Sequence, residues 1–247
     1  MTPISYDASP ETRAFWGGCL PHWDVRGRPI FLTLHVQGAI PQQAAERIRE
    51  QAGVLENRPR AEVGYRSPRR PDAGGENYGY SSPRRPDAGL GTAAVTRDTE
   101  YARRLKLVFR NMEKWLDRAD QAPVLTDDRV SAMLRDAVEE RERRGWWRLL
   151  HWVVMPSHVH ILYVGGTKGM KPLMEDFKRW TGRQAAEILG WGGRRFWQEE
   201  WFDHWSRSGA ETDRMASYIR NNPVQAGLLP SSDTWRHGSW TARSSSV

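Results

Sequence analysis

The chain has 247 residues with a net charge of +7 and a pI of about 9.8, enough length for one or two domains with a full core. The basic balance favours a polyanionic partner over an acidic protein or a neutral ligand. A single cysteine, Cys19, excludes an intramolecular disulfide and a thiolate zinc site. No apolar run approaches the ~20 residues of a membrane span and no apolar signal region opens the chain, so a cytoplasmic protein without a membrane partner is expected.

The first regular element is a strand at 30–36, IFLTLHV, β-branched and apolar enough to be buried. A foreign-looking stretch follows at about 56–93. In it GYRSPRRPDAG, at 64–74, recurs as GYSSPRRPDAG, at 79–89. Its Pro, Gly, Arg and Ser content offers little to bury, so a disordered surface insertion is expected, and two short polar copies do not make a solenoid. Seven arginines against five acidic residues leave +5 of the +7 on the remainder, so the basic character does not come from the insertion.

Residues 98–118 place Tyr101, Leu105, Val108, Met112, Trp115 and Leu116 at helical spacing. A second helix follows Asp127 and Asp128, with Val130, Leu134, Ala137 and Val138 on one face, and Gly145 stops it. Strands are expected at 146–154 and 158–164, joined by a three-residue hairpin connection. A helix at about 170–189 comes next, then a short fourth strand at 194–201. The last helix opens at Ser208, whose spacing to Glu211 fits a capping box, and is expected to end at about Asn221 because Pro223 disfavours helical geometry at Asn222. The order β-α-β-β-α-β-α predicts one α+β domain. Its core would span about 13–55 and 95–240, as a ferredoxin-like antiparallel sheet with helices on one face and a late helix carrying Tyr218.

His158 and His160 are two apart on a predicted strand, so both imidazoles leave one face of the sheet while Val159 points into the helix-covered core. Two neighbouring imidazoles can hold one divalent metal and leave positions open for substrate oxygen. Alone, such a pair is a weak signal and by default reads as two ordinary structural histidines. Tyr218 and Asn222, four apart, share one side of the final helix, and Asn222 offers an amide oxygen as a third ligand. A helix tyrosine is by default a packing residue; as a nucleophile it needs a polarised phosphate and a positive environment to offset its pKa of ~10. Lys178, Arg179 and Arg183 offer phosphate contacts and Trp180 a stacking platform, against the plain alternative of a solvated helix face.

PHWDVRGRPIFLTLHV, HWVVMPSHVHILYV, FWQEEWFDHWSR and YIRNNPVQAGLL, in this order, resemble the REP-associated tyrosine transposases. These are insertion-sequence-200-like single-tyrosine transposases of the HUH endonuclease superfamily. The resemblance implies that His158 and His160 bind a divalent metal, Mg²⁺ or Mn²⁺, with Asn222 as a further ligand and Tyr218 as nucleophile. It also implies single-stranded DNA with a hairpin as partner and a 5′-phosphotyrosine intermediate, with monomer and homodimer both open. Asp203 and Arg207, in the FWQEEWFDHWSR stretch, would brace the site. The family's usual Asn before the first histidine is Ser157 here. Two rivals stand beside this reading. One is a domesticated, non-catalytic protein that binds DNA or RNA hairpins. The other is a metallohydrolase using the histidines and water, ranked lower because no acidic cluster accompanies the pair in the sequence.

Overall fold

A computed structural model describes residues 4–6, 10–17, 20–56, 105–118 and 123–240. All but the first residue of the 56–93 insertion, and the start of the helix expected at 98–118, lie outside these. The described elements are strands β1 (Thr12–Gly17), β2 (Pro21–Val25) and β3 (Pro29–His35), helix α1 (Gln42–Glu56) and helix α2 (105–116). Helix α3 (Asp128–Arg143), strands β4 (Trp147–Val154) and β5 (His158–Gly165), helix α4 (Met170–Ile188), strand β6 (Phe202–Trp205) and helix α5 (Gly209–Gln225) complete them. β1 and β2 form a separate hairpin that the sequence reading did not foresee.

The main sheet has the order β4-β5-β3-β6 with every pairing antiparallel, the α+β arrangement expected. Alternation along each strand sends its side chains to two faces. On the first face Ile30, Leu32, Val159, Ile161 and Tyr163 pack under α3 and α4, through Leu134, Val138, Leu173 and Phe177. The second face is covered too. Phe31, Val153 and Leu162 meet α1, α2 and α5 through Ile48, Val108, Met112, Leu116 and Ile219. The expectation of helices on one face describes α3 and α4 correctly and leaves out this second layer, which carries Tyr218.

Local chemistry sets the element ends. The Asp127 carboxylate accepts from Arg129 N at 2.9 Å and caps α3. Gly145, at φ +67°, turns the chain left-handed just after α3, a conformation that costs glycine no Cβ clash. Two boundaries differ from expectation. The fourth strand is Phe202–Trp205; within 194–201 only Trp197 bridges the sheet, at Val36, because pairing resumes where Phe202 reaches Thr33. The last helix runs through Pro223 to Gln225. Proline removes one helical donor, but Ile219, Asn222 and Pro223 are all buried, and Ala226 N still donates to Asn222 O at 2.9 Å. Tertiary packing therefore overrides the local preference, and Tyr218 and Asn222 stay one turn apart on intact helix.

Candidate metal and nucleophile site

The β3–β5 register pairs Thr33 with His160 and His35 with His158, so all four side chains share the second face. His158 and His160 have no solvent exposure and their rings lie 4.6 Å apart, centre to centre, at 71°. Each Nδ1 is held. His160 Nδ1 lies 3.0 Å from Thr33 Oγ1, and His158 Nδ1 lies 3.2 Å from Ser157 Oγ. The Ser157 hydroxyl donates its proton to Leu116 O at 3.1 Å, so it must accept from His158 Nδ1–H. That fixes the tautomer and leaves a lone pair on His158 Nε2. Burial lowers both histidines to about 3, assisted at His158 by the neighbouring His160, so both rings are neutral near pH 7.

Glu113, on α2, closes the group. Its Oε2 lies 3.4 Å from His160 Nε2, and ligand atoms of Glu113, His158 and His160 all fall within 4.8 Å of one another. His158 Nε2, His160 Nε2, Glu113 Oε1 and Asn222 Oδ1 are buried with no hydrogen-bond partner. Open buried nitrogens on two imidazoles whose other nitrogen is anchored, with a carboxylate within 4.8 Å of both, are what a divalent cation needs. The residues fit such an ion. Burial pushes the Glu113 carboxyl up, the nearby His158 and the Tyr218 hydrogen bond opposing. Asp117, just past the end of α2, rises to about 7 through burial and the Glu113 charge.

α5 brings the tyrosine to this group. Tyr218 donates its hydroxyl to Glu113 Oε2, and Asn222 Nδ2 donates to the Tyr218 oxygen at 3.1 Å. The Tyr218 ring stands edge-on to His160 at 5.5 Å. Burial, then the Glu113 charge and hydrogen bond, raise the phenol well above its usual value, so the hydroxyl keeps its proton in this arrangement.

Four of the sequence-predicted residues, His158, His160, Tyr218 and Asn222, thus converge. The four expected DNA contacts do not join them. Lys178, Arg179, Arg183 and Trp180 lie on α4, which packs on the opposite face of the sheet. Lys178 donates to Glu199 O and is lowered to about 8 by burial. It lines a groove with Arg179, Arg183, Arg194 and Arg195, and Trp180 is 46% exposed. Asp203 does not brace the histidine pair: it accepts from His22 and from Trp23 N on the α4 side of the sheet. Arg207 Nη1 lies 3.4 Å from His204 Nε2, and its backbone N donates to Glu211 at 2.7 Å. Sequence reasoning missed Glu113; it expected no acidic cluster beside the pair, and the fold brings one carboxylate to it. The signal was there: 105, 109, 112, 113 and 116 follow the inward stripe of α2, and a glutamate on such a stripe is anomalous.

A ferredoxin-like sheet that presents a buried His–His–Glu group to a helix-borne tyrosine is the class that fold and site define. Among curated proteins the chain is similar to the REP-associated tyrosine transposase of Escherichia coli (strain K12), with 26% identity over 104 residues. The match takes in 42% of this chain and 60% of that relative's length. Among solved structures it is similar to the REP-associated tyrosine transposase bound to a REP hairpin, at 13% identity and a TM-score of 0.44. That likeness covers 91% of this chain and 84% of the other. No family model matches the chain. The resemblance read from the sequence motifs is borne out by the curated relative. Among the described residues no helix is long and apolar enough to cross a membrane.

Proposed function

We propose that this protein is a metal-dependent, HUH-type tyrosine transposase that cuts and rejoins single-stranded DNA at hairpin-associated sites through a 5′-phosphotyrosine link. The observation that carries the reading is the meeting of the Tyr218 hydroxyl with the buried His158–His160–Glu113 group, from elements far apart in the chain. His158, His160 and Glu113, with Asn222 beside them, would hold Mg²⁺ or Mn²⁺; the imidazoles favour Mn²⁺. Bound there, the ion supplies Lewis-acid polarisation of a phosphate and charge to offset the carboxylate beside the phenol.

The chain's own residues do the rest. Tyr218 Oη attacks phosphorus, Glu113 Oε2 takes the phenolic proton, and the P–O3′ bond breaks. The departing 3′-oxygen takes a proton from solvent water and leaves as a hydroxyl. Asn222 steers the phenolic oxygen through its amide hydrogen bond. Attack by another strand's 3′-hydroxyl reverses these steps and restores Tyr218, with no external energy needed. The cations along α4 would grip hairpin phosphates. In the test, purified protein is incubated with labelled hairpin-bearing single strands in Mn²⁺. A covalent protein–DNA adduct on denaturing gels is expected from wild type and none from Tyr218→Phe, with binding retained. An adduct from the Tyr218→Phe protein would place the nucleophile elsewhere.

Glu113 also lends weight to a second reading, a hydrolase in which two histidines and a glutamate activate water. The tyrosine hydroxyl already at the carboxylate argues for the first. Hydrolysis by Tyr218→Phe without an adduct would decide for the second.

A further inference from the structure

The Tyr218 ring has a second set of neighbours. It forms one wall of a cavity of about 220 Å³ whose other walls include Phe31, Phe109 and Phe202. Phe109 and Phe202 stand 4.9 Å apart, and Phe31 and Phe109 meet the Tyr218 ring at 5.9 and 5.6 Å. Lys106 and Arg214 also line this cavity; both are exposed and neither is ion-paired to another described residue.

We propose that this cavity receives one unpaired nucleobase of the strand that Tyr218 cuts, next to the scissile phosphate. The proposal rests on the reading above and deepens it. A nucleotide is a flat, largely apolar ring joined to an anionic phosphate, and the cavity offers the matching parts: aromatic walls, and Lys106 and Arg214 against one carboxylate, Glu211, that His204 already engages. Its volume lies below the range of about 300–1,000 Å³ typical of sites that enclose a whole small ligand. That suits a single base and excludes a base pair. The same tyrosine serves both places, its hydroxyl at Glu113 and its ring in the cavity wall, so a base stacked there sets the register of the adjoining phosphate. Aromatic stacking of this kind is tolerant of base identity. The site therefore holds the strand unpaired rather than reading its sequence, and explains why a duplex would be a poor substrate: the base must leave its stack to enter.

The test uses the full chain and a random-sequence single-stranded oligonucleotide carrying 5-iododeoxyuridine, irradiated and mapped by mass spectrometry. Crosslinks are expected on Phe109, Phe202 or Met215. Phe109→Ala should weaken binding of the oligonucleotide roughly tenfold, the loss of one stacking partner. Met215→Trp, which fills the cavity from a half-buried position at the edge of the core, should do the same and serves as the variant if Phe109→Ala melts early. Crosslinks confined to the α4 groove, with both variants binding as wild type, would overturn the proposal. Adduct formation in Mn²⁺ is scored in the same samples. Adduct with crosslinks elsewhere removes the base site and keeps the chemistry; crosslinks in the cavity without adduct remove the chemistry and keep the base site.

Discussion

Among the described residues, buried histidines meet carboxylates at two places, on opposite faces of one sheet, and the two places hold opposite charge states. On the α4 side, His22 gives Nδ1 to Asp203 and lies 3.1 Å through Nε2 from Glu200, with Trp16 stacked 5.2 Å away. Burial alone would lower it, but the two carboxylates raise it to about 9, so it is a cation. On the α5 side, His158 and His160 anchor one nitrogen each on a hydroxyl, keep the other open, and are lowered by burial to about 3. Burial is similar in the two. What differs is how many ring nitrogens are already committed. A histidine with both nitrogens on acids is a strut, tying the β1–β2 hairpin to β6; a neutral one with a nitrogen left open is a ligand in waiting.

The sharpest way to break this comparison is to remove a histidine from each place. His158→Ala or His160→Ala should abolish Mn²⁺ binding in calorimetry and adduct formation with it, while chelator reproduces the loss in wild type. His22→Ala should leave Mn²⁺ binding intact and instead cost about 3–5 kcal/mol, because it leaves the buried Asp203 charge with the Trp23 N–H but no cation, a drop of roughly 6–20 °C in melting temperature. Metal affinity that tracks His22 rather than His158 would reverse the assignment.

The charge states give a second test with a definite sign. Between pH 6.5 and about 9 the folded protein keeps a proton on His22 that the unfolded chain has lost. His22 therefore contributes stability that is complete below 6.5 and falls away as pH rises through 9, at up to ~1.4 kcal/mol per unit. The pair runs the other way: its neutral rings contribute above 6.5, and that is lost as pH falls towards 3. Subtracting a His22→Gln melting series from wild type should isolate the alkaline limb. Parallel curves from pH 6.5 to 9.5 would mean His22 is not charged in the fold.

The two places were not equally legible in the sequence. His158 and His160 announce themselves because strand period two puts them on one face, and Tyr218 with Asn222 because helix period does the same. Both signals are local. The sheet order followed from the element order, since few topologies accommodate it. Glu113 sits on a helix beyond the repeat insertion, and no spacing rule ties it to a strand 45 residues on. His22 and Asp203 are 181 residues apart, so their pairing exists only once β1–β2 docks beside β6. Propensity also failed at Pro223, where burial of one helix face outweighs a missing backbone donor.

The smallest expected effect concerns what keeps His158 a ligand at all. Ser157 Oγ bridges Leu116 O and His158 Nδ1, at 3.1 and 3.2 Å, with no exposure to solvent. Ser157→Ala removes the acceptor that holds the proton on Nδ1, so the ring can turn or take the other tautomer and Nε2 loses its fixed aim. Groups that orient a metal-binding histidine are worth about 10–100-fold in affinity, and one hydroxyl bridge should fall near tenfold. Ser206, equally buried, is the matching control away from the pair: its hydroxyl donates to Ser208 O at 2.9 Å, accepts from Thr212 at 2.8 Å, and touches neither histidine of the pair. Ser206→Ala should cost stability of about 1 kcal/mol, as any buried hydroxyl bond does, and leave Mn²⁺ affinity unchanged. If both alanine variants lose stability alike and neither changes affinity, Ser157 is packing only. If Ser157→Ala alone weakens Mn²⁺ binding, the hydroxyl is what separates the open histidine from the strut.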